Sequence, residues 1–147
     1  MSGKFRQLND LVFVSPQIEP GDVDAARELG VALIVNNRPE DESPDQTPGP
    51  AIAQAASEAG LDYVAIPVTH AGFSEAQVSA MREALDRAGE SRVLAYCRSG
   101  TRSTLLWALA EARAGADRQD LQATAAAAGY DLAPVAPLID MLSARAR

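Results

Sequence analysis

Five consecutive apolar residues, Val31-Ala-Leu-Ile-Val35, lie between Gly30 and Asn36-Asn37. A run this short does not make a stable helix, and a half-exposed strand would alternate with polar residues. It is therefore predicted to be a strand buried on both faces, which requires helices above and below it. Leu11–Val14, Tyr63–Val68 and Arg92–Cys97 read as further strands. Helical segments separate them. One spans Pro20 to Leu29 and stops at Gly30; another begins after Thr47-Pro48 and stops at Gly60. Ser74-Glu-Ala-Gln77 has the form of a capping box and opens a helix to about Ala88. After the last strand come a long helix ending near Gly115, a helix capped by Asp117 and ending at Gly129, and a final one over Pro137 to Arg145. This alternation predicts an α/β fold, with a central, mainly parallel sheet of four to five strands flanked by helices and joined by right-handed crossovers. The 147 residues are expected to form a single domain, residues 1–147. Ligands of such sheets sit at the carboxyl ends of the strands. Asn36 to Arg38, Thr69 to Phe73 and Cys97 to Ser103 converge there.

Composition excludes some functions. A formal net charge of −7 argues against nucleic acid or an anionic membrane as the main partner, because both need a basic surface. No apolar run approaches the ~18 residues of a membrane span. The first residues lack the apolar stretch of a secretory signal. Cys97 is the only cysteine, so no internal disulfide can form, and the expected location is cytoplasmic.

Tyr96-Cys-Arg-Ser-Gly-Thr-Arg-Ser103 joins the last strand to the helix after it. A loop at that place turns backbone N–H groups inward, and these combine with the helix dipole into an anion site. Gly100 lets the backbone curl. Arg98, Ser99, Gly100, Thr101 and Ser103 are candidate anion or substrate ligands. Arg102 can fork onto an oxyanion. Cys97 feels the same positive field, which favours thiolate over thiol and makes it the candidate nucleophile. Ser103 could donate a hydrogen bond to the sulfur. A lone cysteine is usually a small buried hydrophobe. A purely structural one has no use for Arg98, Gly100 and Arg102 within five residues.

Cys-Arg-Ser-Gly-Thr-Arg resembles the active-site loop of rhodanese-type sulfurtransferases, which carry a persulfide on the cysteine. Protein tyrosine phosphatases have a similar loop with one more residue between Cys and Arg; here there are four, Arg98, Ser99, Gly100 and Thr101. Over roughly residues 4 to 135 the chain also resembles the phosphatase-like domain of beta-lactamase hydrolase-like proteins. Val35-Asn-Asn-Arg-Pro39, Ile66-Pro-Val68, Tyr96 to Ser103 and Ala128-Gly-Tyr-Asp131 carry that resemblance. It implies a tyrosine-phosphatase-like fold, found alone or fused to a sulfur dioxygenase-type metallo-hydrolase domain.

The two chemistries need different residues. Phosphate-ester cleavage calls for a general acid at the leaving oxygen, and Ile66 to Glu75 contains no aspartate. Sulfur transfer needs a thiolate, a stabilised persulfide and access for an acceptor thiol. The preferred reading is therefore a rhodanese-like sulfurtransferase with Cys97 as persulfide carrier. The alternative is a phosphohydrolase acting through a Cys97 phosphocysteine, and a third is a non-catalytic anion-binding module. The partners expected are a small thiol or persulfide, or a phosphorylated substrate, with a sulfur dioxygenase-type protein as a further one.

His70, the only histidine, follows a strand at the ligand end and is a candidate acid or substrate contact, although lone histidines are more often structural. It makes no metal cluster with Cys97, and no cofactor is implied. Arg38 either adds charge to the pocket or pairs with Glu40, Asp41 or Glu42. That acidic stretch reads as a solvated loop, Trp107 as core, and Asp131 as part of a turn.

Overall fold

The computed structural model describes residues 3–146. Its sheet has five strands: β1 (Arg6–Gln7), β2 (Val12–Ser15), β3 (Val31–Asn36), β4 (Asp62–Ala65) and β5 (Arg92–Tyr96). Their spatial order is β1-β2-β5-β3-β4. β2, β5, β3 and β4 run parallel, and β1 is antiparallel to β2. The helices are α1 (Asp22–Glu28), α2 (Gly49–Ala59), α3 (Glu75–Ala88), α4 (Thr101–Arg113), α5 (Arg118–Ala127) and α6 (Ala136–Ala146).

Both faces of the sheet are covered. Val12, Val14, Leu33, Val35, Val93 and Ala95 face a core shared with α3, α4 and α6, where Trp107 is buried. Phe13, Val31, Ile34, Leu94 and Tyr96 face a smaller core closed by α1 and α2. A register shift between Val31 and Leu33 puts a bulge in β3 beside β5. Ser74 and Gln77 form the expected capping box at α3, and Gly60 closes α2 in the left-handed conformation at φ 81°. Among the described residues no helix is long and apolar enough to cross a membrane.

Two details differ from expectation. β1 consists of the polar pair Arg6–Gln7, which carries no apolar signal. The predicted strand Tyr63–Val68 becomes Asp62–Ala65, because its partner β3 ends at Asn36, opposite Ala65. The chain still tracks β3 past that point: the Ile66 N–H donates to Asn36 O and the Val68 N–H to Asn37 O. This carries residues 66–73 to the mouth of the cysteine loop.

Candidate active site

Cys97 follows β5 directly and is fully buried. Its N–H donates to Ser15 O on β2, which pins the sulfur-bearing residue to the central strands. The chain then turns through Arg98 and Ser99 to Gly100, which caps α4 in the left-handed region at φ 91°. The turn directs the Gly100 N–H at the Cys97 sulfur, 3.1 Å away. At the exposed rim Ser99 Oγ donates to Thr101 Oγ1. Arg98 is exposed beside it. The expected strand–loop–helix cup is therefore present, with Cys97 at its base.

Arg102 is in the first turn of α4. Its Nη1 and Nη2 donate to the two oxygens of Glu42 at 2.7 and 2.8 Å, and Nη1 also donates to Val68 O at 2.6 Å. A guanidinium has five N–H donors. Three are engaged here. Nε–H and the second Nη2 hydrogen lie on the adjacent edge, point the same way, and face the Cys97 sulfur, to which Arg102 also hydrogen-bonds. That parallel pair matches two oxygens of one tetrahedral anion. The hydrogen bonds to Glu42, with the charges of the Cys97 sulfur and Glu42 and a hydrogen bond to that sulfur, keep Arg102 firmly protonated despite partial burial. In return, Arg102 above all, followed by Arg38, holds the Glu42 carboxyl at about 2 against a desolvation cost.

Sequence reasoning took Glu42 for part of a solvated acidic loop. The structure makes it the bidentate partner of Arg102, its side chain only 13% exposed. The signals available were the loop's position at the ligand end of β3 and the expected pairing of Arg38 with Glu40, Asp41 or Glu42. Arg38 does not bring its charge to the cup. It is 5% exposed, and its Nε, Nη1 and Nη2 donate to Glu42 Oε1, Gln17 Oε1 and Ser43 Oγ. The ion-pair alternative holds, with Glu42 as partner, and Arg38 supports the Glu42–Arg102 pair from behind. Ser103 is also corrected: its hydroxyl donates to Asn37 Oδ1 at 2.8 Å rather than to the sulfur. The Asn37 amide in turn donates to Ile66 O, tying α4 to the segment after β4. His70 is exposed on the turn that follows Val68. Tyr130, past the end of α5, had no assigned role, yet its hydroxyl donates to Ser99 O at 3.3 Å. Among the described residues no group of three His, Cys, Asp or Glu is placed to hold a metal ion.

Comparison with known proteins places this geometry. The sequence model of the family described as beta-lactamase hydrolase-like protein, phosphatase-like domain, matches residues 4–116. A beta-lactamase hydrolase-like protein of Xylella fastidiosa is 34% identical over 88% of the chain, and the chain spans only 30% of that relative's length. A crystal structure from Neisseria meningitidis, provisionally described as a phosphatase, superposes with a TM-score of 0.78 at 31% identity. That match covers 99% of this chain and all of the other. The active form of Tk-PTP superposes with a TM-score of 0.75 over 99% of each chain; at 14% identity it speaks for the fold alone.

Proposed function

The chain belongs to the phosphatase-like domain family of the beta-lactamase hydrolase-like proteins, and from that premise we propose that it is a phosphohydrolase working through a phosphocysteine on Cys97. The preference reached from sequence alone, sulfur transfer, thereby gives way to its alternative. The fold supports the change, because its solved neighbours are tyrosine-phosphatase-like. The observation that carries the reading is the edge that Arg102 turns toward the Cys97 sulfur. Two parallel donors suit an anion that presents two oxygens at once, as a phosphoryl group does. The outer sulfur of a persulfide presents one atom.

In the first step the Cys97 sulfur attacks phosphorus, and the bond from phosphorus to the leaving oxygen breaks. The Gly100 N–H and the Arg102 donors on the sulfur side stabilise the charge gathering on the phosphoryl group. The leaving oxygen departs with the bonding pair and takes a proton from water. In the second step water attacks the phosphocysteine, the S–P bond breaks toward sulfur, and phosphate and the thiolate are released with one proton. Residues 66–75 contain no aspartate, so the substrates favoured are esters of acidic alcohols, such as aryl phosphates, whose leaving groups need little protonation.

One observation favours a second reading. The cup has four residues between Cys97 and Arg102, the rhodanese spacing, and sulfur transfer to a small thiol, with a sulfur dioxygenase-type partner, fits that length. A side-by-side assay separates the two. The purified protein is given an aryl phosphate in one arm and glutathione persulfide in the other, and the intact mass is followed. The phosphatase reading expects turnover in the first arm and a transient gain of one phosphoryl group on Cys97, both lost in Cys97→Ser. A stable gain of one sulfur with no phosphate released would replace it with sulfur transfer.

A further inference from the structure

Ala128-Gly-Tyr-Asp131 plays no part in the chemistry above, yet Tyr130 rests against the cup. The Tyr130 hydroxyl donates to the carbonyl of Ser99. The Gly100 N–H donates to the Cys97 sulfur. These are the two ends of one peptide group. The peptide is trans, so its C=O and N–H point in opposite directions. One rigid plane is thus held by Tyr130 at its oxygen and presented to the sulfur at its nitrogen. A side-chain Cβ at Gly100 would collide with Tyr130 Oη, which shows how closely the phenol abuts this point. Gly100, at φ 91°, is the residue type that would let the plane rotate, since glycine tolerates both signs of φ. Rotation would turn a carbonyl dipole, negative end first, toward the sulfur.

We propose that Tyr130 is a positioning residue that locks the Ser99–Gly100 peptide with its N–H toward Cys97, so that the sulfur keeps its backbone hydrogen-bond donor. Hydrogen bonds that share a peptide also polarise one another, so a donor on the carbonyl strengthens the N–H as a donor to sulfur. Burial, and the charge of the Cys97 sulfur after it, raise the ionisation of the Tyr130 phenol, which keeps its proton available for Ser99; Arg6 on β1 opposes this. The other charges bearing on the sulfur are Arg102 on α4, neutralised on its far side by Glu42, and Arg98 in the loop itself. None of them contacts the Ser99 carbonyl, so the peptide's orientation rests on Tyr130.

This deepens the Cys97 reading, but its test does not depend on which substrate is turned over. Cys97 is alkylated with iodoacetamide across a pH series in the full chain, with thiolate absorbance as a second readout. In Tyr130→Phe the ring stays and the hydroxyl goes. Alkylation near neutral pH should slow by roughly three- to tenfold, the loss of one hydrogen bond. The pH profile should move upward, and the Gly100 amide resonance should shift. An unchanged rate and profile overturn the proposal. So does slower alkylation with the Gly100 resonance unmoved, because the effect then bypasses that peptide. If the variant fails to fold, Cys97→Ser gives the reciprocal measurement: with the sulfur charge removed, the Tyr130 phenol should ionise at lower pH. No movement there overturns the coupling. If alkylation behaves as expected while aryl phosphate is not cleaved, the phosphatase reading fails and Tyr130's role stands.

Discussion

Two segments flank the cysteine cup, and they are built in opposite ways. Residues 37–48 are tied at nearly every turn. Arg38 is bonded to Glu42, Gln17 and Ser43. Gln46 bridges the Glu42 N–H and the Pro39 carbonyl, and Glu40 accepts the Gly49 N–H at the start of α2. Residues 66–73 are held at their base, where Val68 O accepts from Arg102, but Thr69 to Gly72 are exposed. The Thr69 hydroxyl, accepting from the Ala71 N–H, bonds only within that turn. The locked side is the electrostatic half of the site, where preorganisation has most value. The loose side is where a leaving group would meet solvent. On the phosphatase reading, the fixed side would hold and position the anion, while the loose side would leave the departing group to solvent.

The sharpest way to break this contrast is at Arg102. Arg102→Lys keeps the charge but loses the fork. Aryl phosphate turnover should fall by about 10²–10³-fold with the fold intact. Steady-state kinetics beside circular dichroism would measure this, and a fall of less than about fivefold would mean the sulfur-facing Arg102 edge is not the anion site.

A smaller effect should come from one shell further out. Glu42→Gln leaves Arg38 and Arg102 without their carboxylate and should cost about 2–4 kcal/mol of stability, with turnover reduced roughly tenfold as Arg102 loosens. Glu42 also sets a pH window. Its carboxyl is held at about 2 instead of the ordinary 4.5. A depressed folded-state value gives stability that is complete above about 4.5 and drains away as the pH falls toward 2. Acid unfolding of the parent should therefore show a component over that range, absent from Glu42→Gln. If both proteins unfold along the same acid curve, Glu42 does not anchor Arg102.

The smallest effect is expected on the loose side. His70→Ala should change aryl phosphate turnover by less than about threefold, since general acid assistance is typically worth 10²–10⁴-fold where it operates. A collapse of that size would make residues 66–73 the acid-bearing segment and end the contrast.

The sequence made the architecture legible because its signals are local. An apolar run with no alternation, a capping box at Ser74, a glycine after α2 and the Cys97–Arg102 spacing each depend on neighbours a few residues away. What could not be read depends on contacts across the chain. Glu42 meets Arg102 sixty residues later, so its charge looked like solvated surface. Ser103 finds Asn37 across a similar gap. Tyr130 touches Ser99 only because the chain after α5 returns over the cup. Arg6–Gln7 forms a strand without apolar character because β2 offers it a free edge.

The strand order also fixes when the cup can exist. β2 is among the first elements to leave the ribosome, but its partner is β5, about 80 residues later, and β5 lies between β2 and β3. Loop-closure entropy makes such pairings slow. Ser15, which accepts the Cys97 N–H, waits at the end of a strand paired only with the two-residue β1 until β5 arrives. The helices of the first half can form early, but they cannot seat a sheet that lacks its middle strand. Cys97 thus enters the fold together with the element that completes it, and a truncated or stalled chain would hold no assembled cup.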